Sequence, residues 1–238
     1  MRINTFMHSL RHYINLIEEI NYSDSADAYH WIDNPDPFAN EEDKTGEIDF
    51  DSDDDFETVI EKVRQNEDNR LGYGKYREGW HHPFDKRLVI KVAHPRDDNT
   101  IEECAVRNMW EFLVWNRANE KSLPEVEHLM PCYEIDPEGL WLTQRKGTRV
   151  PQDKEVPIKG DVSWIGDRKK ENFAMLDGEY KSIDYGSKNA IEHLGIPEDY
   201  DKCKKLVAEI LAKSDADVNS PDYGKSRRTE DPLDTDDS

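Results

Sequence analysis

Cysteine is scarce: the 238 residues hold three, Cys104, Cys132 and Cys203, far apart and without a Cys-x-x-Cys spacing. That number and spacing suggest neither a disulfide framework nor a zinc site, and predict reduced, buried thiols. Long apolar runs are also missing. No stretch approaches the roughly 18–20 apolar residues that span a bilayer, and the opening Met1-Arg2-Ile3-Asn4 carries no apolar h-region, so a cytoplasmic chain with no membrane partner is expected. Basic charge is short: 32 Lys and Arg stand against 53 Asp and Glu, a net charge of -21. Direct binding to a nucleic-acid backbone needs clustered Lys and Arg, so this balance disfavours it and suits a basic protein partner better. The small tail cluster Lys225, Arg227 and Arg228 is surrounded by acid and does not change this. No internal repeat is visible.

What is present is enough apolar material for a core, 35% of residues with 10% aromatic, beside 36% charged residues that need a large solvated surface. The acidity is local. Residues 23–68 carry 17 acidic and 3 basic side chains, residues 195–238 carry 12 and 7, and the remainder is nearly neutral.

Hydrophobic spacing sets the organisation. Phe6, Leu10, Tyr13, Ile14, Ile17 and Ile20 form one stripe of an amphipathic helix over residues 4–20, and an aperiodic acidic loop follows to about Asp55. Phe56, Val59, Ile60 and Val63 predict a short helix, capped by Asp53 to Asp55. The β-branched run Leu88 to Ala93 predicts a strand. Ile101 to about Asn116 predicts a helix with Ala105, Val106, Met109, Phe112 and Leu113 inward. Two hairpins are expected: Met130–Ile135 with Leu140–Gln144 around Asp136-Pro137-Glu138-Gly139, and Phe173–Leu176 with Tyr180–Ile183 around Asp177-Gly178. A last helix runs from Pro197 to about Lys213, its inward stripe Tyr200, Cys203, Val207 and Ile210, and a disordered tail is expected from 214.

Four chemical signals occur in order. Gly72-Tyr73-Gly74 in a turn allows a backbone loop to cover phosphates, although such a pair also makes a plain turn. Lys91 sits inside an apolar strand, where a charge needs a counter-ion or must snorkel to the edge. Glu102, on the stripe of Ala105, Val106 and Met109, is the better-placed ion-pair partner for Lys91 than Glu103; either also suits the helix dipole as a first-turn acid. The fourth signal is Gly166-Asp167-Arg168-Lys169-Lys170-Glu171-Asn172, then the Asp177-Gly178 hairpin, then Ile183-Asp184-Tyr185-Gly186. His81, His82 and His94 read as loop residues rather than metal ligands, since adjacent strand His side chains point to opposite faces.

This order resembles the catalytic core of protein kinases over about Leu71 to Gly186, with Asp-Tyr-Gly where that family has Asp-Phe-Gly. The Gly-Asp pair resembles aminoglycoside phosphotransferases, and the Gly-x-Gly-x-x-Arg loop resembles short kinase-like proteins of bacteriophages and archaeal viruses. The resemblance implies an α+β, reduced bilobal protein-kinase-like fold: an antiparallel-sheet small lobe with one helix (67–146), a truncated second lobe (147–213), an N-terminal helical and acidic extension (1–66) and a tail (214–238). It implies ATP and Mg2+ as cofactors and a protein substrate. Asp167 would orient or deprotonate the acceptor and Lys169 would neutralise the γ-phosphate. Asn172 and Asp184 would hold magnesium, Lys91 with Glu102 would grip the α- and β-phosphates, and the backbone from Gln144 through Arg145 to Lys146 would meet adenine. If the chain is viral, the host cytoplasm is the implied location.

The sequence departs from the pattern at Arg77, which takes the place of the third loop glycine, and at Ile165-Gly166, in place of His-Arg. Only some twenty residues separate Gln144 from Asp167, too few for the usual large-lobe helices, and no Ala-Pro-Glu segment follows. Beside a minimal Ser/Thr kinase stand two alternatives: a catalytically inactive kinase-like module that binds nucleotide or protein, and an acidic inhibitor imitating a polyanion.

Overall fold

A computed structural model describes residues 56–150, 156, 163–165 and 169–218. The expected helix over 4–20, the acidic loop, the caps at Asp53 to Asp55 and the end of the tail lie outside these residues. The chain divides into two compact units, Met1–Tyr73 with Gly79–Lys86, and Gly74–Glu78 with Arg87–Ser238.

The first unit contains α1 (Phe56–Gln65), a 3-10 turn at Glu67–Asn69, and β1 (Arg70–Tyr73) beside the later part of β2 (Arg77–His81). Of the apolar stripe of α1, Val59, Ile60 and Val63 are buried and Phe56 is half-buried. Asn66 ends the chain's descent from α1 by accepting from the Asp68 amide at 3.1 Å. His81 is the last residue of β2, while His82 and His94 lie outside any strand or helix, in line with the loop reading. His82 is buried, and its Nδ1 accepts from the amides of Phe84 (3.2 Å) and Asp85 (3.1 Å). It is a turn-forming acceptor. Among the described residues no group of three or more His, Cys, Asp or Glu gathers to hold a metal ion.

The second unit is built on β3 (Leu88–Ala93), α2 (Ile101–Glu120), β4 (Cys132–Ile135) and β5 (Trp141–Arg145). β5 lies between β3 and β4 and is antiparallel to both, with a register shift against β4 between Cys132 and Ile135. α2 starts at a full capping box, in which the Thr100 hydroxyl accepts from the Glu103 amide and the Glu103 carboxylate accepts from the Thr100 amide. It runs one turn further than the apolar spacing indicates, and from Cys104 to Val114 it is buried on almost every side. The sheet covers one flank, and two later helices, α3 (Lys188–Leu194) and α4 (Tyr200–Val218), cover another.

The turn between β4 and β5 is fixed by Asp136, whose Oδ2 accepts from the amides of Glu138 and Leu140. Gly139 is required there. Its φ is +76°, and a Cβ would come within 2.7 Å of the Ala105 carbonyl.

A second sheet orders β6 (Thr148–Arg149), β7 (Phe173–Leu176) and β8 (Glu179–Ser182), and Met130 ties into it by donating to the Ser182 carbonyl at 2.9 Å. Its hairpin forms as expected, the loop residues Asp177 and Gly178 both having the positive φ of a two-residue type I′ turn. One core joins Phe112, Leu113, Met130 and Leu142 to Trp164, Ile165, Tyr185, Ile191 and Val207.

Three departures from the sequence expectations stand out. β1, β2, β6 and α3 are additional elements, and α4 begins at Tyr200, not Pro197, then continues past 214. α3 has only seven residues and is defined by its ends: Ser187 accepts from the Ala190 amide, and Gly195 closes it with φ +63°. The fold is thus α+β with antiparallel sheets. No helix of the described residues is long and apolar enough to cross a membrane.

Candidate functional site

Lys91 lies in β3 opposite Leu142, its side chain 12% exposed, flanked in sequence by Ile90 and Val92, both buried. An ammonium in such surroundings must be compensated. Its Nζ donates to Glu111 Oε1 and to the backbone carbonyl of Ile183. The partner is therefore Glu111 and not Glu102, which is exposed in the first turn of α2. Glu102 and Glu111 are nine positions apart, about half a turn round the helix. The apolar stripe pointed to one face of α2, but the helix is buried on both, and the face carrying Asn108 and Glu111 is the one turned to Lys91.

Glu111 is fully buried, and each carboxylate oxygen is used. Oε1 accepts from Lys91 and from Gln144 Nε2 at 2.7 Å, while Oε2 accepts from Arg77 Nη1 at 2.6 Å. Arg77 spans the site: Nη1 also lies 3.4 Å from Asn108 Oδ1, and Nη2 donates to Asp184 Oδ1. Two cations and two carboxylates are thus interleaved. Burial opposes the charge on Arg77, but Glu111 and Asp184 overcome it and hold the guanidinium firmly protonated. Burial also works to raise the Asp184 carboxyl; Arg77, then Lys91 and Arg107, outweigh it and hold that carboxyl below its ordinary value.

The segment Asp184-Tyr185-Gly186 is fixed from both ends. Tyr185 is fully buried, donating its hydroxyl to the Met130 carbonyl at 2.6 Å beside Cys132 Sγ at 3.0 Å. Gly186 lies against α2, where a Cβ would meet the Arg107 carbonyl at 2.7 Å and the Glu111 amide at 3.2 Å. Upstream, the Ile183 amide donates to the Asn172 carbonyl at 2.9 Å, which brings Asn172 next to Asp184 across the base of the β7–β8 hairpin.

The structure therefore gathers Lys91, Asn172 and Asp184 of the expected set. Lys169 is exposed just before the 3-10 turn Lys170–Asn172, its carbonyl accepting from the Asn172 amide. Asp167 lies outside the described residues. Gly72 belongs to the first unit and Gly74 to the second, where its amide closes a turn by donating to the Arg77 carbonyl at 2.8 Å. Of the residues expected to meet adenine, Gln144 pairs with Val89 on one side and Cys132 on the other. The Arg145 and Lys146 amides donate to Pro131 and Arg87 carbonyls. Those two amides are engaged within the fold, and Gln144 contributes through its side chain to Glu111.

Arg77, Asn108 and Glu111 were missed by sequence reasoning. The available signal was Glu111 itself, a carboxylate in the apolar run Met109-Trp110-Glu111-Phe112-Leu113. As for a magnesium ion, the carboxylate of Asp184, its side chain half-exposed, and the amide of Asn172 are hard oxygen donors of suitable chemistry, and such an ion takes its other oxygens from water and phosphates. The donors fit, with Arg77 already on one of them. The chain matches no family model and no curated protein.

Proposed function

We propose that the chain is an ATP- and magnesium-dependent phosphotransferase of reduced protein-kinase type, transferring phosphate to a hydroxyl of a protein serine or threonine. The observation that carries this reading is Lys91, bonded at once to buried Glu111 and to the carbonyl preceding Asp184. A cation fixed by a buried acid beside a solvent-reaching carboxylate is what positioning a polyphosphate requires, because phosphoryl transfer depends chiefly on placement and charge compensation.

In this reading Lys91 binds the α- and β-phosphates, and Glu111, in the place first given to Glu102, keeps its ammonium oriented. Gln144 in turn fixes Glu111. Asn172 and Asp184 would hold magnesium, which supplies neutralising charge at the phosphates. Asp167 would orient or deprotonate the acceptor hydroxyl and Lys169 would neutralise the γ-phosphate. The acidic balance of the chain suits a basic protein substrate in the cytoplasm.

A second reading is favoured by the ion pair of Arg77 with Asp184: a kinase-like module that binds nucleotide without transferring phosphate. Incubation with γ-labelled ATP, magnesium and basic protein substrates separates the two. Label transfer that disappears in Asp167→Ala, with ATP binding kept in calorimetry, supports the phosphotransferase. Binding without transfer in the wild type selects the module, and absence of ATP binding removes both.

A further inference from the structure

Arg77 occupies the position from which a cation would act on Asp184. It is anchored independently of that carboxylate, by Glu111 Oε2 at 2.6 Å and by Asn108 at 3.4 Å, and its side chain is only 11% exposed. The turn that presents it is closed by the Gly74 amide on its own carbonyl. The Asp184 side chain, by contrast, is 50% exposed, so its carboxylate is open to an incoming ligand while Oδ1 carries the guanidinium.

An ion arriving at Asp184 therefore meets a positive charge that the buried Glu111 holds in place. The repulsion is strong in a partly desolvated site, where fixed charges are poorly screened.

We propose that Arg77 is the resident cation of this site and competes with a divalent metal ion for Asp184, so that metal loading requires the guanidinium to leave Asp184 while staying on Glu111. The proposal rests on the phosphotransferase reading of the same residues. Release costs only one of the guanidinium's contacts, because Nη1 keeps both Glu111 and Asn108. Arg77 thereby sets how tightly the site takes its metal, and a polyphosphate that brings negative charge to Lys91 and Arg77 assists the exchange. Metal and nucleotide then bind cooperatively.

The test uses Mn2+ alone as the probe, its free concentration read by electron paramagnetic resonance on the full chain. Arg77→Gln keeps a donor for Glu111 and removes the charge, and it is expected to bind Mn2+ about tenfold or more tightly than the wild type, the scale on which one neighbouring charge acts on a carboxylate. Adding Asp184→Asn to Arg77→Gln should abolish that gain. Should Arg77→Gln lose cooperative unfolding, Arg77→Lys replaces it, with tightening in the same direction because one ammonium does not fork across both carboxylates. Equal or weaker Mn2+ binding in the folded variant overturns the competition, as does a gain that survives Asp184→Asn. ATP binding by calorimetry on the same samples separates the two levels: if ATP binds but Mn2+ affinity is unmoved, the competition falls and the site reading stands; if neither ligand binds to any variant, both fall.

Discussion

Lys91 and Glu111, twenty positions apart on β3 and α2, form a buried ion pair whose acid is also bonded by Arg77 and Gln144. Removing the acid's charge leaves two cations in the interior with one partner fewer. Glu111→Gln should lower unfolding free energy by about 3 kcal/mol or more, whereas Glu102→Gln, in the exposed first turn, should change it by less than about 1 kcal/mol. Urea titration of the two variants checks the assignment; equal effects would return Lys91 to Glu102.

Two glycines near the chemical signals should respond in opposite ways. Gly186→Ala forces a Cβ against the α2 backbone at 2.7 Å and should destabilise by about 1–3 kcal/mol. At Gly72 nothing lies within 4 Å of the place a methyl would take, so Gly72→Ala should stay within about 0.5 kcal/mol of the wild type. A loss of ATP affinity in Gly72→Ala at unchanged thermal stability would then report on the ligand.

The pH response of the first unit turns on His82. Burial pushes its imidazole down to about 4, against a smaller opposing effect of Asp85, and the amides of Phe84 and Asp85 need Nδ1 unprotonated. Because the folded value lies below the unfolded 6.5, this contribution to stability is complete above pH 6.5 and is lost as pH falls towards 4, up to about 3 kcal/mol in all. Chemical denaturation at pH 7, 5.5 and 4 should show that loss in the wild type and a flatter profile in His82→Gln.

The thiols should be silent until the chain unfolds. All three are buried; burial, then the neighbouring Glu111 charge, pushes Cys132 up to about 12, and burial pushes Cys203 up to about 11. A disulfide reagent at pH 8 should therefore modify none of them in the native chain and all three in urea. For Cys132 and Cys203 the folded values exceed the unfolded 9.0, so their contribution is full below pH 9 and is lost as pH rises above it. Fast native labelling of Cys132 would contradict the packing around Tyr185.

Much of the second unit was legible because its signals are local. The β-branched run marked β3, Asp177-Gly178 marked the β7–β8 hairpin, and the apolar spacing from Ile101 marked α2. β2 was not legible, since Arg77-Glu78-Gly79-Trp80-His81 has no β-branched residue and no clean alternation. Nor was α3, too short for a period to show. At the site, Lys91 and Asp184 stood out by their surroundings in sequence, but the one-stripe reading of α2 assigned the acid to the wrong face because this helix has no wholly solvent-facing side between Cys104 and Val114.

The sequence alone determined the charge distribution, the turns and most of the strands and helices, because those follow from preferences acting over a few residues. Only the tertiary structure decided that Lys91 answers to Glu111, that Arg77 reaches Asp184 across 107 positions, and that Gln144 pairs with Val89 on one side and Cys132 on the other. The strength and choice of an ion pair depend on which groups are desolvated together, and that is set by packing between segments whose separation along the chain carries no information about it.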